Sequence, residues 1–189
     1  MSGRLSIRRS NSGFTMTELV VVMMIVAILA AIAIPSYKYV TVSNRMSAEV
    51  NLLLGDMQFA RSEAIKEGMP VTVCIATANG QGCQGSGTVT WQNGWIVFLD
   101  SNADQVRQTT EAILRWTPAF TSTDTFVAQS PSLWAVTFNR SGYAPTGLAT
   151  TTIQLHDSTN NSQWTRCLAV TPIGSPTTEK YGVGTPVCN

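Results

Sequence analysis

The chain has 189 residues, a length that suggests one globular domain of ordinary size in addition to any membrane anchor. Charged residues make up only 12% of it, about half the usual share for a soluble domain, and the second half is rich in Thr, Ser, Asn and Gln. The net charge of +1 argues neither for nor against an acidic partner. This composition excludes a highly charged surface and predicts a polar one, which suits the cell exterior.

A long apolar run occupies residues 14–34. Every residue from 19 to 34 is apolar, and Glu18 is the only charge in the 21 residues that begin at Phe14. At about 1.5 Å per residue, a helix of this length crosses a hydrocarbon core of roughly 30 Å. A secretory signal peptide would have a shorter apolar core and a small-residue cleavage site after it, whereas this run leads directly into more helix. We therefore predict a retained, single membrane-spanning helix.

The residues before this span form a basic leader that contains Arg4, Arg8 and Arg9 and no acidic residue. By the positive-inside rule, the leader keeps the N-terminus in the cytoplasm and sends the rest of the chain outward. A carboxylate that enters hydrocarbon is costly, and such residues are usually functional. We therefore predict that Glu18 has a partner.

The sequence Gly-Phe-Thr-x-x-Glu at residues 13–18, between a short basic leader and a wholly apolar helix, resembles the class III signal of type IV pilins and type II secretion pseudopilins. The resemblance implies that a prepilin peptidase cuts between Gly13 and Phe14, removes residues 1–13 and methylates Phe14. It also implies that Glu18 pairs with the N-terminal amine of a neighbouring subunit, because two such charges are tolerable together in a low-dielectric bundle. The alternative is a single-span anchor whose Glu18 only lies at the headgroup boundary.

Residues 35–68 keep a helical pattern that becomes one-sided. The apolar stripe is expected to pack on the domain that follows: Met46, Val50, Leu53, Met57, Ala60 and Ala64. Charged residues are expected on the other faces: Arg45, Glu49, Asp56, Arg61, Glu63, Lys66 and Glu67. Arg45 and Glu49 have the i, i+4 spacing of a helical ion pair.

Two residues bear on where this helix bends and ends. Pro35 removes one backbone hydrogen bond where the chain leaves lipid, so it is a predicted site of local melting. If Pro35 only kinks the helix, one rod continues from the membrane span to residue 67. Gly68, followed by Met69 and Pro70, supplies the stop.

From Pro70 onward the period changes to two, and the sequence predicts a β domain over residues 69–189. The predicted strands are residues 71–76, 88–91, 94–99, 112–117, 133–139, 150–156 and 165–171. They are short and are separated by turn residues such as those at 140–142, and the first of them should form a meander. One long helix packed on an antiparallel β-sheet domain belongs to the α+β class.

Two segments of this β domain carry the resemblance further along the chain. Residues 94–104, with the sequence GWIVFLDSNAD, and residues 138–142, with the sequence FNRSG, are similar to the corresponding segments of the GspH/FimT/FimU branch of the family. The resemblance thus covers the leader, the helix and part of the β domain, and it implies a pilin-like fold.

Four cysteines are present, and an even number outside the cytoplasm favours disulfides. Of three possible connectivities we favour Cys74–Cys83 with Cys167–Cys188, because the first closes a short loop after a strand and the second ties down the C-terminus. Zinc is the rival interpretation. No pair has the Cys-x-x-Cys spacing and His156 is the only histidine, so we expect no metal.

A second metal pattern occurs at Asp100, Asn102, Asp104 and Glu111, which match the oxygen-ligand positions one, three, five and twelve of an EF-hand loop. Gln105, however, occupies the position that needs glycine, and predicted strands flank the segment. We interpret it as a polar hairpin tip, with calcium as the minor alternative.

Catalysis has one candidate pair, the adjacent His156 and Asp157. Neighbouring residues on a strand point to opposite faces, so this pair is poorly placed to act as a base and its orienting group. We therefore expect no enzyme activity and no cofactor.

Together these features identify the chain as a member of the FimU/FimT/GspH-like group of minor pilins. The resemblance implies a structural subunit that primes or caps a type IV pilus, with other pilins, the prepilin peptidase and an inner-membrane assembly platform as partners. It also implies a single-pass inner-membrane protein with a periplasmic domain that later joins an extracellular pilus. One alternative is a type II secretion pseudopilin. Another is a DNA-capturing subunit, but Ser175 follows Gly174 where such proteins carry arginine, and no basic cluster is present, so nucleic acid is not expected.

Overall fold

The computed structural model describes residues 13–144, 151–184 and 187–188. The basic leader with Arg4, Arg8 and Arg9 lies outside these residues. The chain divides into two compact units, Met1–Thr41 and Val42–Asn189.

One α-helix, α1, spans Met16–Glu67 and contributes residues to both units. It continues through Pro35, so the proline does not end the helix. The helix ends before Gly68, which has a φ of +65°. Because glycine adopts this left-handed conformation without steric cost, Gly68 ends the helix as its position in the sequence predicted.

In the second unit, α1 buries the apolar stripe that the sequence predicted. All six residues of the stripe are buried: Met46, Val50, Leu53, Met57, Ala60 and Ala64. Asp56 is buried beside them, with only 4% of its surface exposed, although its charge had placed it on the solvent side of the helix. That expectation was wrong because the carboxylate bonds to groups of the first sheet.

The described residues contain eight β-strands, all of which pair antiparallel. Four strands form the first sheet in the order β3-β2-β1-β5: β1 Val71–Ile75, β2 Gly94–Leu99, β3 Ile113–Pro118 and β5 Ala135–Phe138. The others form a second sheet in the order β4-β6-β7-β8: β4 Thr125–Ala128, β6 Thr151–His156, β7 Arg166–Val170 and β8 Thr177–Lys180. The α+β class predicted from the sequence is confirmed.

The central strand of the first sheet is β1, which pairs with both β2 and β5. Val73 therefore lies between Val97 and Val136. All five residues of β1 are buried. Strands β1, β2 and β3 form a meander, but residues 88–91, which the prediction included in it, are not part of it, and the return of β5 to the open side of β1 does not follow from the sequence.

Three predictions about strands were wrong. Residues 88–91 form no strand: Thr90 makes a single bridge to Val127, and Trp91–Asn93 is a 3-10 turn. The buried indole N–H of Trp91 donates to the carbonyl of Leu133 at 2.9 Å, so this segment is fixed by a side-chain contact instead of by strand pairing. Strands β4 and β8 were missed because β4 has only four residues in a Thr-rich connection and β8 carries no apolar side chain.

Candidate functional site

The start of α1 is set by its own sequence. Thr15 precedes the helix, and its Oγ1 accepts a hydrogen bond from the backbone N–H of Glu18 at 3.2 Å, while its carbonyl accepts one from Leu19 N–H at 3.1 Å. Thr15 and Glu18 thus occupy the N-cap and N3 positions of the helix. Among the residues that the structure describes, none donates a hydrogen bond to the Glu18 carboxylate, which is exposed. Phe14, just before the cap, is 74% exposed.

The membrane-length part of α1 leaves its apolar side chains uncovered. The helix is long and apolar enough to cross a membrane, and none of its most apolar 18-residue window is buried within the described chain. Large side chains such as Met23, Leu29 and Ile32 are more than 60% exposed. Apolar surface of this extent is unfavourable in water.

The second half of α1 is fixed to the first sheet by Asp56. Its Oδ2 accepts hydrogen bonds from the indole N–H of Trp95 on β2 at 2.8 Å and from the hydroxyl of Thr117 on β3 at 3.0 Å. Its Oδ1 pairs with Arg115 on β3 at 2.9 Å. The Arg115 guanidinium also lies 3.6 Å from the centre of the Phe59 ring, a cation–π contact. One carboxylate therefore joins the helix to two strands.

A second polar contact joins α1 to the connection between β3 and β4. Arg45 donates two hydrogen bonds to the buried carboxylate of Asp124, at 2.7 and 2.8 Å. The predicted helical pairing of Arg45 with Glu49 is therefore replaced by a bidentate pair with Asp124, which makes two charge-assisted hydrogen bonds.

Glu49 lies next to this pair and carries a second carboxylate. Its Oε1 accepts from the Ser122 hydroxyl at 2.9 Å, while its buried Oε2 has no partner among the described residues. Burial, together with the neighbouring charge of Asp124, raises the pKa of the Glu49 carboxyl to about 6. The proton held there at mildly acidic pH reduces the repulsion between the two carboxyl groups.

Two disulfides close loops in the β domain. Cys74 on β1 is bonded to Cys83, and the Cα atoms are 5.6 Å apart. Cys167 on β7 is bonded to Cys188, with Cα atoms 5.7 Å apart. These are the pairs favoured from the sequence. The backbone N–H of Cys188 also donates to the Val183 carbonyl at 3.1 Å, so the second bond holds the tail beside β8.

The EF-hand-like segment is a loop stabilised by its own carboxylates. Asp100 is buried and accepts from the Thr72 hydroxyl at 2.7 Å and from the backbone N–H of Gln105 at 3.0 Å. Glu111 accepts from the backbone N–H groups of Ser101 and Gln108 at 3.0 and 2.9 Å. The described residues contain no group of three or more acidic, histidine or cysteine residues that could hold a metal ion. The acidic side chains thus face internal donors, as expected for a polar loop tip.

The His156 and Asp157 pair shows no catalytic geometry. The Nδ1 atom of His156 lies 3.3 Å from the Thr165 hydroxyl, and burial lowers the pKa of the imidazole. Asp157 instead accepts from the backbone N–H groups of Thr159 and Asn161, which fixes the turn after β6. No hydrogen bond joins the two side chains within the described part of the chain.

Two family models match the chain. The model for the prokaryotic N-terminal methylation motif matches residues 8–34, and the model described as type II transport protein GspH matches residues 49–174, two thirds of the chain. The chain belongs to the GspH family. Its N-terminal motif and family model together make it a type IV pilin or pseudopilin of the FimU/GspH group, and members of these families are structural subunits that assemble with other pilins.

Solved structures support this assignment at the level of the fold. The GspH-family chain is similar to the type IV minor pilin FimU of Pseudomonas aeruginosa in two crystal forms. In the first, 20% of residues are identical over 72% of this chain and 89% of FimU, with a TM-score of 0.55. In the second, the identity is 19%, the coverage 70% and 91%, and the TM-score 0.53. No curated protein sequence matches the chain significantly.

Sequence reasoning missed the polar contacts that hold the helix of this GspH-family domain in place. Asp56 lies three residues after Leu53 and four before Ala60, at the border of the apolar stripe. A charged residue at that position signals a buried carboxylate as readily as an exposed one, so its place next to the stripe could have found it. Asp124 has no such local signal, because its partner is 79 residues away.

Proposed function

We propose that this protein is a minor pilin of a type IV pilus, which primes or caps the filament by packing its N-terminal helix among those of other subunits. The observation that carries the proposal is the uncovered apolar part of α1 with Glu18 at its start and no partner for that carboxylate among the described residues. Such a helix needs a surrounding of apolar helices or lipid, and its carboxylate needs a cation. The fold shared with FimU supports a minor pilin in particular.

In this proposal, the prepilin peptidase cuts after Gly13 and methylates Phe14. The new N-terminal amine then belongs to Phe14, four residues before Glu18 in the same chain. The Glu18 carboxylate of an incoming subunit neutralises the amine of a neighbour, which lowers the cost of holding both charges in a low-dielectric filament core. Pro35 is a proposed point of local melting, since it leaves one helix carbonyl without its backbone donor as the helix moves out of the bilayer.

The location follows from the same argument. The methylation motif and the apolar helix indicate a membrane anchor followed by a pilin domain. We infer that the anchor lies in the inner membrane with a cytoplasmic N-terminus and a periplasmic domain, and that the assembly platform then transfers the subunit to the pilus.

A type II secretion pseudopilin is the second candidate, because the matching family model is described as a type II transport protein. DNA capture has less support. Residues 42–189 contain 8 basic and 10 acidic residues, so the unit has a net charge of −2 at neutral pH. A unit with a net negative charge does not neutralise phosphate groups, and this neutralisation dominates the affinity of proteins for DNA.

Deletion of the gene, with complementation by the wild-type chain, tests the proposal. Sheared surface pili, type II secretion and DNA uptake are measured in the same strains. We expect pili to be lost and restored by the wild-type chain while type II secretion stays intact. Loss of secretion with normal piliation would instead identify a pseudopilin, and normal pili together with normal secretion would contradict a role in either assembly.

A further inference from the structure

Trp116 lies at the edge of the first sheet, on the face that points away from α1. Its neighbours Arg115 and Thr117 both bond to Asp56 on α1. Because side chains alternate along a strand, Trp116 points to the opposite face. It lies on the edge strand β3 and is 53% exposed. Single exposed apolar residues are common on protein surfaces, so the surroundings of Trp116 decide whether it can bind a ligand.

The loop closed by Cys74 and Cys83 holds this indole in position. A Cβ atom built on Gly80 would lie 2.5 Å from Cε2 of Trp116, so the ring lies directly against the glycine backbone. Gly80 also has a φ of +67°, which other residues rarely adopt. The loop itself is fixed by the disulfide and by a hydrogen bond of 2.9 Å from Arg107 to the Gln81 carbonyl. The loop therefore holds the Trp116 ring in place without a ligand.

A depression of about 400 Å³ adjoins Trp116. Its volume lies in the usual range of small-molecule sites, about 300–1,000 Å³. The lining contains no charged residue: Thr77, Ala78, Gln84, Asn93, Trp116, Pro118 and Ala119.

Hydrogen bonds fix two side-chain amides that line the depression, but some polar atoms of the lining have no hydrogen-bond partner among the described residues. Nε2 of Gln84 donates to the Ala76 carbonyl at 2.6 Å, and Nδ2 of Asn93 donates to the Thr90 hydroxyl at 3.0 Å. Within the described residues, neither amide oxygen accepts a hydrogen bond, and the indole N–H of Trp116 has no acceptor. The residues that line the depression thus carry two amide oxygens and one indole N–H that have no hydrogen-bond partner among the described residues.

We propose that this depression binds a neutral sugar residue of an oligosaccharide. A pyranose ring has one face of C–H groups, which carry partial positive charge and suit the negative face of an indole. Its hydroxyl groups donate to amide oxygens and accept from the indole N–H. The uncharged lining gives no compensation for burying a phosphate or carboxylate, which disfavours nucleic acids and sialylated sugars. The inference goes beyond the filament role and does not depend on it.

The test uses the full chain in phosphatidylcholine nanodiscs, because detergents with sugar headgroups would compete. Maltotriose, lactose, N-acetylglucosamine trimer, sialyllactose and a dT oligonucleotide are the probes, and saturation-transfer NMR with tryptophan fluorescence titration is the measurement. We expect binding of at least one neutral sugar, weakened about tenfold or more by Trp116→Ala, which corresponds to about 1.4 kcal/mol. Trp116→Phe should restore part of the affinity.

The matched control is Tyr143→Ala, which removes another half-exposed aromatic side chain, 51% exposed, that does not line the depression. It should leave sugar binding unchanged, and thermal unfolding should show that both alanine variants are folded. The proposal is overturned if no neutral sugar binds, if Trp116→Ala binds as tightly as the wild type, or if sialyllactose or the oligonucleotide binds more tightly than every neutral probe.

Discussion

Replacement of Asp56 by alanine should destabilise the second unit strongly, because this carboxylate is the acceptor for groups on two strands. In the variant the indole N–H of Trp95, which is fully buried, has no acceptor. An unsatisfied buried donor costs about 1–3 kcal/mol, and the lost hydrogen bonds from Thr117 and the partly exposed Arg115 add to it. We expect a total loss of about 3 kcal/mol in the free energy of unfolding.

For a domain of about 150 residues, each kcal/mol shifts the unfolding midpoint by about 2–4 °C, so the expected decrease is about 6–12 °C. The assay is thermal and urea unfolding of soluble protein that lacks residues 1–34, with circular dichroism as the signal. Asp56→Asn can keep one oxygen as the acceptor for Trp95, but it loses the charge and replaces the oxygen that faces Arg115 by an NH2 donor, so its midpoint should lie between those of the wild type and the alanine variant.

Glu63→Ala is the matched control on the same helix. Glu63 pairs with Lys66, and the side chains are 18% and 67% exposed, respectively; an ion pair in contact with solvent in this way contributes little. Its removal should change stability by less than about 0.5 kcal/mol. If Asp56→Ala unfolds at the same midpoint as Glu63→Ala, the carboxylate does not fix the helix to the sheet and the reasoning fails.

Four further outcomes are expected. Mass spectrometry of the assembled protein should find an N-methylated Phe14; a mature chain that begins at Met1 would contradict the proposed processing. Glu18→Ala should insert into the membrane normally, since it removes a charge from the span, yet enter sheared pili less often than the wild type; equal incorporation would show that Glu18 is not an assembly partner. Cys188→Ser should lower the unfolding midpoint more than Cys83→Ser, because loops of 22 and 10 residues give about 3.4 and 2.7 kcal/mol in the chain-entropy model; the reverse order would count against that account. The folded state raises the pKa of the Glu49 carboxyl from 4.5 to about 6. The stability that its proton contributes is therefore complete below about pH 4.5 and is lost as pH rises through about 6, by at most about 1 kcal/mol once solvent screening is allowed for. Glu49→Gln should flatten this pH dependence of stability, and an unchanged pH profile would assign the dependence to other groups.

The elements that the sequence predicted are those whose signal is local. The stripe on α1 repeats every three to four residues, and β2 was predicted over the residues that the structure assigns to it, Gly94–Leu99. The N-terminal methylation motif, matched over residues 8–34, is also local, because its residues are consecutive in the chain. Strand β8 has mostly exposed polar side chains and forms only because β7 offers it backbone partners. Its existence depends on the fold and leaves no apolar pattern.

The polar contacts were hidden for the same reason. Arg45 has an acidic residue four positions away, which favoured a helical pair, but the fold brings Asp124 within 2.7 Å. Nothing in the sequence indicates that Trp116 lines a depression, because an aromatic residue is common in a strand. Its place on the edge strand and its contact with Gly80 depend on the fold. Contacts between distant parts of the chain require the topology first.

The position of β1 between β2 and β5 has a consequence during synthesis. Strand β2 follows β1 within about 20 residues, but β5 begins at Ala135, about 60 residues after Ile75. At about 5–20 residues per second, roughly 3–12 s pass before the second neighbour of β1 has been made. Throughout that interval, one edge of β1 presents unpaired backbone donors and acceptors to any other chain nearby. A chain that stops before Ala135 keeps this open edge permanently and should aggregate rather than wait to be assembled.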